Sequence, residues 1–181
     1  MEEKKGIFVE SNHLILPKKL PEDIYAQAMS SMIVVCADIA IFCPKSKALY
    51  LAKRIVSPMR GYWTIGGRRL AGEAGTEAAR RNLLRETGVD VEEACFSMAT
   101  SIEVIWSDRK EDPRTQGKHD IIQFYAVMLS DEEIKHANEN LIQSEYERRS
   151  LRRFNQEELI AYNVSPIIHK VYQAIFPSRK F

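Results

Sequence analysis

The run Met32-Ile33-Val34-Val35-Cys36-Ala37-Asp38-Ile39-Ala40-Ile41-Phe42 constrains the fold more than any other stretch. It is rich in β-branched residues and apolar on both alternating faces, which is the pattern of a strand covered from both sides. Such a strand must lie inside a sheet with helices packed over each face, a layered α/β or α+β arrangement. One acid, Asp38, interrupts it. Extended to Cys43, the run is still too short to span a bilayer.

The rest of the chain supplies the layers. Pro21, with Glu22 and Asp23 behind it, suits the first turn of a short helix. Ala48 to Arg54 reads as a second strand, reached through the turn Pro44-Lys45-Ser46-Lys47. Glu77 to Thr87 reads as a helix with Thr76 as N-cap and Gly88 in the left-handed closing position. Strands are predicted over Phe96 to Trp106 and Ile121 to Met128, separated by a polar, mobile loop from Ser107 to Lys118. Ser165-Pro166 opens a last helix whose Ile167, Ile168, Val171, Tyr172 and Ile175 form one apolar stripe.

No repeat or linker divides the 181 residues, so one domain over 1–181 is expected, with an N-terminal extension over residues 1–20. Lys and Arg number 26 against 25 Asp and Glu. That balance argues against a general nucleic-acid binder. Neither a signal peptide nor a membrane span is read in the chain. Cys36, Cys43 and Cys95 form no paired motif and the four histidines are scattered. Buried, reduced thiols in a cytoplasmic protein are the expectation.

The chemistry concentrates between Gly66 and Val89. Read as G-x5-E-x7-R-E-U-x-E-E-x-G-U, with U a bulky aliphatic, the stretch matches at Gly67, Glu73, Arg81, Leu83, Glu86, Gly88 and Val89. On a helix Asn82, Arg85 and Glu86 share one face beside Ala78. Fixed spacing over so many positions makes chance agreement improbable, and the stretch resembles the Nudix box. The resemblance implies an α/β/α sandwich on a mixed β-sheet, with a loop–helix–loop that holds divalent metal against a nucleoside diphosphate. Where most of that family carries carboxylates, this chain has Asn82, Arg85 and Glu86. One carboxylate survives, so a single Mg2+ or Mn2+, held by Glu86 and a loop carbonyl of Gly66 or Gly67, is what remains.

A reduced box is similar to that of the GDP-mannose mannosyl hydrolase branch. Gly61-Tyr62-Trp63 followed by Gly66-Gly67-Arg68 also resembles that branch's G-Y-W-x-x-x-G-G-R, one residue shorter. By this resemblance Arg54 and Arg68 hold diphosphate, Glu86 binds metal with Gly67 and Gln123 as further ligand places, and Arg81 orients Glu86. Asp38 positions the nucleotide or its partner arginine, and Tyr62 or Trp106 could stack on a base. The branch's histidine base has no direct counterpart; His119 or Asp120 could reach the site and titrate there. A homodimer is implied in the same way.

Plainer readings stand beside these. Asp38 could simply accept hydrogen bonds in a buried strand, Arg54 could be a solvated strand end, and the 148–153 arginine run is a charged element interleaved with glutamates. Three functions follow. One is hydrolysis of a nucleotide sugar at its anomeric carbon, where water attacks carbon and the diphosphate only leaves. Another is phosphoanhydride hydrolysis with Glu103, Asp108 or Glu111 replacing the lost ligands. The third is a non-catalytic nucleotide-binding module. The partner in each case is a small nucleotide, approached through a locally basic pocket.

Overall fold

The computed structural model describes residues 2–4, 7–9 and 20–177. Two short strands, β1 (Glu2–Lys4) and β2 (Ile7–Val9), form an antiparallel hairpin. The remainder of the expected extension, residues 10–19 included, lies outside the described residues. Helix α1 (Glu22–Met29) follows, with Pro21 at its N-cap.

The apolar run becomes β3 (Val34–Cys43), the centre of a seven-stranded mixed sheet. Its first half pairs antiparallel with β6 (Ile65–Arg68), and its end pairs antiparallel with β4 (Ala48–Arg54). Its other edge pairs along its length, in parallel, with β8 (Lys118–Val127), which pairs antiparallel with β7 (Ser97–Trp106). The short β5 (Gly61–Trp63) and β9 (Arg152–Phe154) flank β4. The strand expectations hold to within a few residues; β8 begins at Lys118 because the loop before it ends sooner than the sequence suggests.

Alternation on β3 builds two cores. Ala37, Ile39 and Ile41 meet Ala78, Ala79 and Leu83 of α2 (Gly75–Thr87) and Ala137 of α3 (Asp131–Glu139). Cys36 and Ala40 face Trp63, Phe124, Leu159 of α4 (Gln156–Ala161), and Ile168, Val171 and Tyr172 of α5 (Pro166–Ile175). Burying each large aliphatic in these layers stabilises by about 1.5–3 kcal/mol. The result is the expected α/β/α sandwich.

Two local corrections apply. Helix α2 starts at Gly75 with Ala74 at its N-cap, not Thr76, because Glu77 turns back to accept from the Ala74 N–H (2.8 Å). Gly88 closes the helix in the left-handed conformation, as expected. Of the three cysteines only Cys36 is buried; Cys43 is intermediate and Cys95 exposed, and all are free. Among the described residues no helix is long and apolar enough to cross a membrane.

Candidate active site

A cavity of about 1320 Å³ opens where α1, β6 and the loop between β7 and β8 meet beside β3. One wall is the box. Gly66 and Gly67 on β6 lie against Asn82, Arg85 and Glu86 of α2, as the shared helical face requires. Glu86 is 2% exposed. Its Oε1 accepts from Arg85 Nη2, and its Oε2 accepts from the Tyr146 hydroxyl (2.6 Å) and the Gly66 N–H (3.2 Å). Burial pushes the Glu86 carboxyl above its ordinary pKa, opposed by the Arg85 charge and the Tyr146 hydrogen bond. Asn82 turns its amide nitrogen to the carbonyls of Ala37 (3.0 Å) and Gly67 (2.9 Å).

The opposite wall is aromatic and acidic. Trp63 and Trp106 stand edge to face, ring centroids 5.9 Å apart. Each indole N–H donates to a buried carboxylate: Trp63 to Asp38 Oδ2 (2.9 Å), Trp106 to Asp120 Oδ2 (2.8 Å). Thr64 adds a hydroxyl to Asp38 Oδ2 (2.9 Å), and Lys118 pairs with Asp120 Oδ2 at 2.8 Å. Asp120 Oδ1 is buried and has no hydrogen-bond partner. Burial raises the Asp38 carboxyl to about 6, against the lowering effect of its two hydrogen bonds. Burial draws the Lys118 ammonium down, but the groups around it together, Asp120 foremost, leave it raised.

The two walls touch at Gly66. A Cβ there would collide with the Asp38 carboxylate, so only glycine lets β6 approach β3 this closely while its N–H reaches Glu86. The outer rim is the 107–117 loop. The loop wraps a buried arginine, Arg109, whose guanidinium donates to the carbonyls of Glu111 (3.2 Å) and Asp112 (3.3 Å), Gln116 Oε1 (3.1 Å) and Ser30 Oγ (3.0 Å). A polar loop expected to be mobile is therefore built around an internal hub.

Several expected site residues converge on the cavity: Asp38, Arg54, Gly67, Arg68, Glu86 and Asp120 all line it. Arg68 lies over the Tyr25 ring at 4.0 Å, and Arg54 donates to the Pro58 carbonyl (3.0 Å) and pairs with Glu145 at 3.5 Å. Others are placed elsewhere. Arg81 does not orient Glu86; its guanidinium is held by Glu73 (2.5 and 2.8 Å), Asn82 Oδ1 and the Arg68 carbonyl. His119 and Gln123 do not line the cavity, because residues alternate along β8 and the cavity face carries Lys118, Asp120 and Ile122. His119 meets Glu103 at 2.7 Å, and Gln123 accepts from Arg69 (2.8 Å). Tyr62 packs on Phe154 and Tyr162 beneath Arg152 instead of facing a ligand. The surroundings are also less basic than the count of arginines implies. Arg69 and Arg81 are consumed by the box loop, while Asp38, Asp120 and Glu145 face inward.

A divalent ion does not fit the box as built. Magnesium asks for several free oxygen ligands. Here both Glu86 oxygens face N–H or O–H donors, the Gly66 carbonyl faces Arg85 (3.4 Å), and the Gly67 carbonyl faces an amide. Among the described residues no cluster of three His, Cys, Asp or Glu could hold a metal.

Comparison with known proteins agrees with the architecture. The protein-family model described as the NUDIX domain matches residues 32–174. The chain is similar to a MutT NUDIX hydrolase of Burkholderia pseudomallei, 18% identical, TM-score 0.61, covering 80% of this chain and 99% of that one. It is also similar to the NUDIX domain of Shewanella oneidensis NrtR complexed with ADP ribose, 12% identical, TM-score 0.57, covering 87% and 97%. A third is the Escherichia coli dihydroneopterin triphosphate pyrophosphohydrolase, 12% identical, TM-score 0.54, covering 78% and 96%. No curated protein matches the chain.

Proposed function

The chain belongs to the Nudix family, and from that premise we propose that it hydrolyses a nucleoside diphosphate derivative, a nucleotide sugar of the GDP-mannose kind, at the sugar's anomeric carbon. The observation that carries this reading is the occupied box carboxylate. Attack on phosphorus relies on metal to activate water and polarise the phosphoryl group. Attack on carbon requires only that a departing diphosphate be neutralised, and Arg54, Arg68 and Arg85 line the cavity for that purpose. A diphosphate-linked ligand is one the fold accommodates, since the Shewanella domain is complexed with ADP ribose.

In this reading water forms the new C–O bond, the glycosidic electron pair leaves with the diphosphate, and a carboxylate takes the water's proton. Asp120 is the carboxylate assigned to that role: it lines the cavity, and its buried Oδ1 has no protein partner that a water brought in with the substrate would have to displace. Asp38 holds the tryptophan that shapes the same wall. The fully paired box also supports a second reading, a binding module without turnover.

Phosphorus NMR of products from nucleotide sugars and nucleoside diphosphates, run with EDTA and with Mg2+ or Mn2+, tests the proposal. Free sugar and nucleoside diphosphate are the expected products. Two phosphorylated fragments would overturn it, and binding without turnover would establish the second reading.

A further inference from the structure

We propose that Arg85 is the box's resident cation: its guanidinium takes the place of a divalent ion, neutralises Glu86 and binds the ligand's phosphates, so that binding needs no metal. A carboxylate as buried as Glu86 requires a compensating charge or a full set of hydrogen bonds. It has both from the protein itself. Arg85 Nη2 bridges Glu86 Oε1 and the Gly66 carbonyl, and a Cβ built on Gly67 would come within 2.8 Å of the same nitrogen. The guanidinium thus lies directly over the glycines of β6 whose carbonyls would otherwise face an ion.

The neighbours are matched to a guanidinium and not to a metal. Asn82 gives N–H groups to the carbonyls of Ala37 on β3 and Gly67 on β6, and Tyr146 and the Gly66 N–H complete Glu86. A divalent ion would have to displace Arg85 and reverse the donors around a single carboxylate. Arg85 nevertheless remains 47% exposed at its side chain and lines the cavity. A guanidinium carries five N–H donors in a planar fork suited to phosphate. Its hydrogen bonds to described residues all run through Nη2, which leaves the other N–H donors of the fork for a ligand.

The phosphate half of the proposal rests on the nucleoside diphosphate reading; the cation half does not, and two measurements separate them. Mn2+ binding by electron paramagnetic resonance, on the whole chain without nucleotide, reads the cation. The wild type is expected to show no saturable site dependent on Glu86, and Arg85→Glu, which restores a second carboxylate, is expected to create one. A wild-type 1:1 site lost in Glu86→Gln would overturn the proposal, as would failure of Arg85→Glu to bind any more Mn2+ than wild type.

Quenching of tryptophan fluorescence by GDP-mannose and by inorganic pyrophosphate reads the phosphate. Equal affinity in EDTA and in Mg2+ is expected. Arg85→Gln is expected to weaken both probes by about tenfold or more, with Arg85→Lys partly restoring them. Should Arg85→Gln fail to fold, the double variant Arg85→Gln/Glu86→Gln, which leaves no buried charge unpaired, carries the same expectation. Affinity that requires Mg2+, or survives Arg85→Gln unchanged, would overturn the phosphate role. If neither probe binds the wild type at all, the phosphate role falls with the nucleotide reading, and the Mn2+ measurement still decides the cation.

Discussion

Glu86 and Asp120 are equally buried, at 2% exposure each, yet the two walls of the cavity treat them differently. Glu86 has donors on both oxygens, drawn from β6, α2 and the segment around Tyr146. Asp120 receives Trp106 and Lys118 on one oxygen only, and its Oδ1 is left over. The box wall is closed upon itself, and the tryptophan wall keeps an acceptor in reserve. The contrast teaches that two carboxylates of equal burial in one cavity can differ in spare hydrogen-bonding capacity: the box carboxylate is fully engaged, while the unpaired acceptor sits on another strand.

The largest test of this contrast is Asp120→Asn. If the spare oxygen takes the proton from water, turnover should fall by about 10²–10⁴-fold with substrate affinity changed far less. Steady-state kinetics beside a binding titration would show it, and a kcat equal to wild type would break the contrast. Next is Arg85→Ala, which strips the charge from a buried carboxylate and should cost about 3 kcal/mol in urea unfolding. Combining it with Glu86→Gln should recover most of that loss, and simple additivity would show that the box is not the closed unit described.

Asp38 offers a comparable effect read through pH. Its carboxyl ionises at about 6, against an ordinary 3.8, so the native state holds the proton more tightly than the unfolded chain. The penalty is absent below about pH 4, grows between there and about 6, and is complete above, amounting to about 3 kcal/mol. Wild type should therefore lose stability relative to Asp38→Asn as pH rises from 4 to 7. Urea midpoints at each pH would measure this, and a difference independent of pH would contradict it. The smallest effect is expected from Tyr146→Phe, which removes one donor from an oxygen that keeps another, about 1–2 kcal/mol.

The sequence was most legible where its signals are local. The β-branched run, the spacing of box residues along one helix and the Ser165-Pro166 start each depend on neighbours a few positions away. Arg54 and Arg68 line the cavity because they end their strands, Glu86 because of its helix face, and Asp38 because of its face of the central strand. What sequence reasoning missed are contacts across long separations. Tyr146 stands 60 residues from Glu86, and Arg109 stands 79 from Ser30. No spacing rule announces either, although a Tyr after a short polar segment and an Arg within a polar loop of balanced charge are the residues involved. The choice between His119 and Asp120 depended on one step of strand register, and one step changes the face. Arg81 meets Glu73 and not Glu86, because the loop folds Glu73 back onto the helix, a closure that helical spacing alone does not reveal.

Gly66 gives the contrast between the walls its last consequence. With no side chain at that position, only a stretch of bare backbone separates Asp38 from the Glu86 carboxylate, and the charge on Glu86 raises the Asp38 pKa across it. A side chain added at this position would therefore disturb both carboxylates at once, Asp38 by direct collision and Glu86 by pushing away the N–H that reaches it.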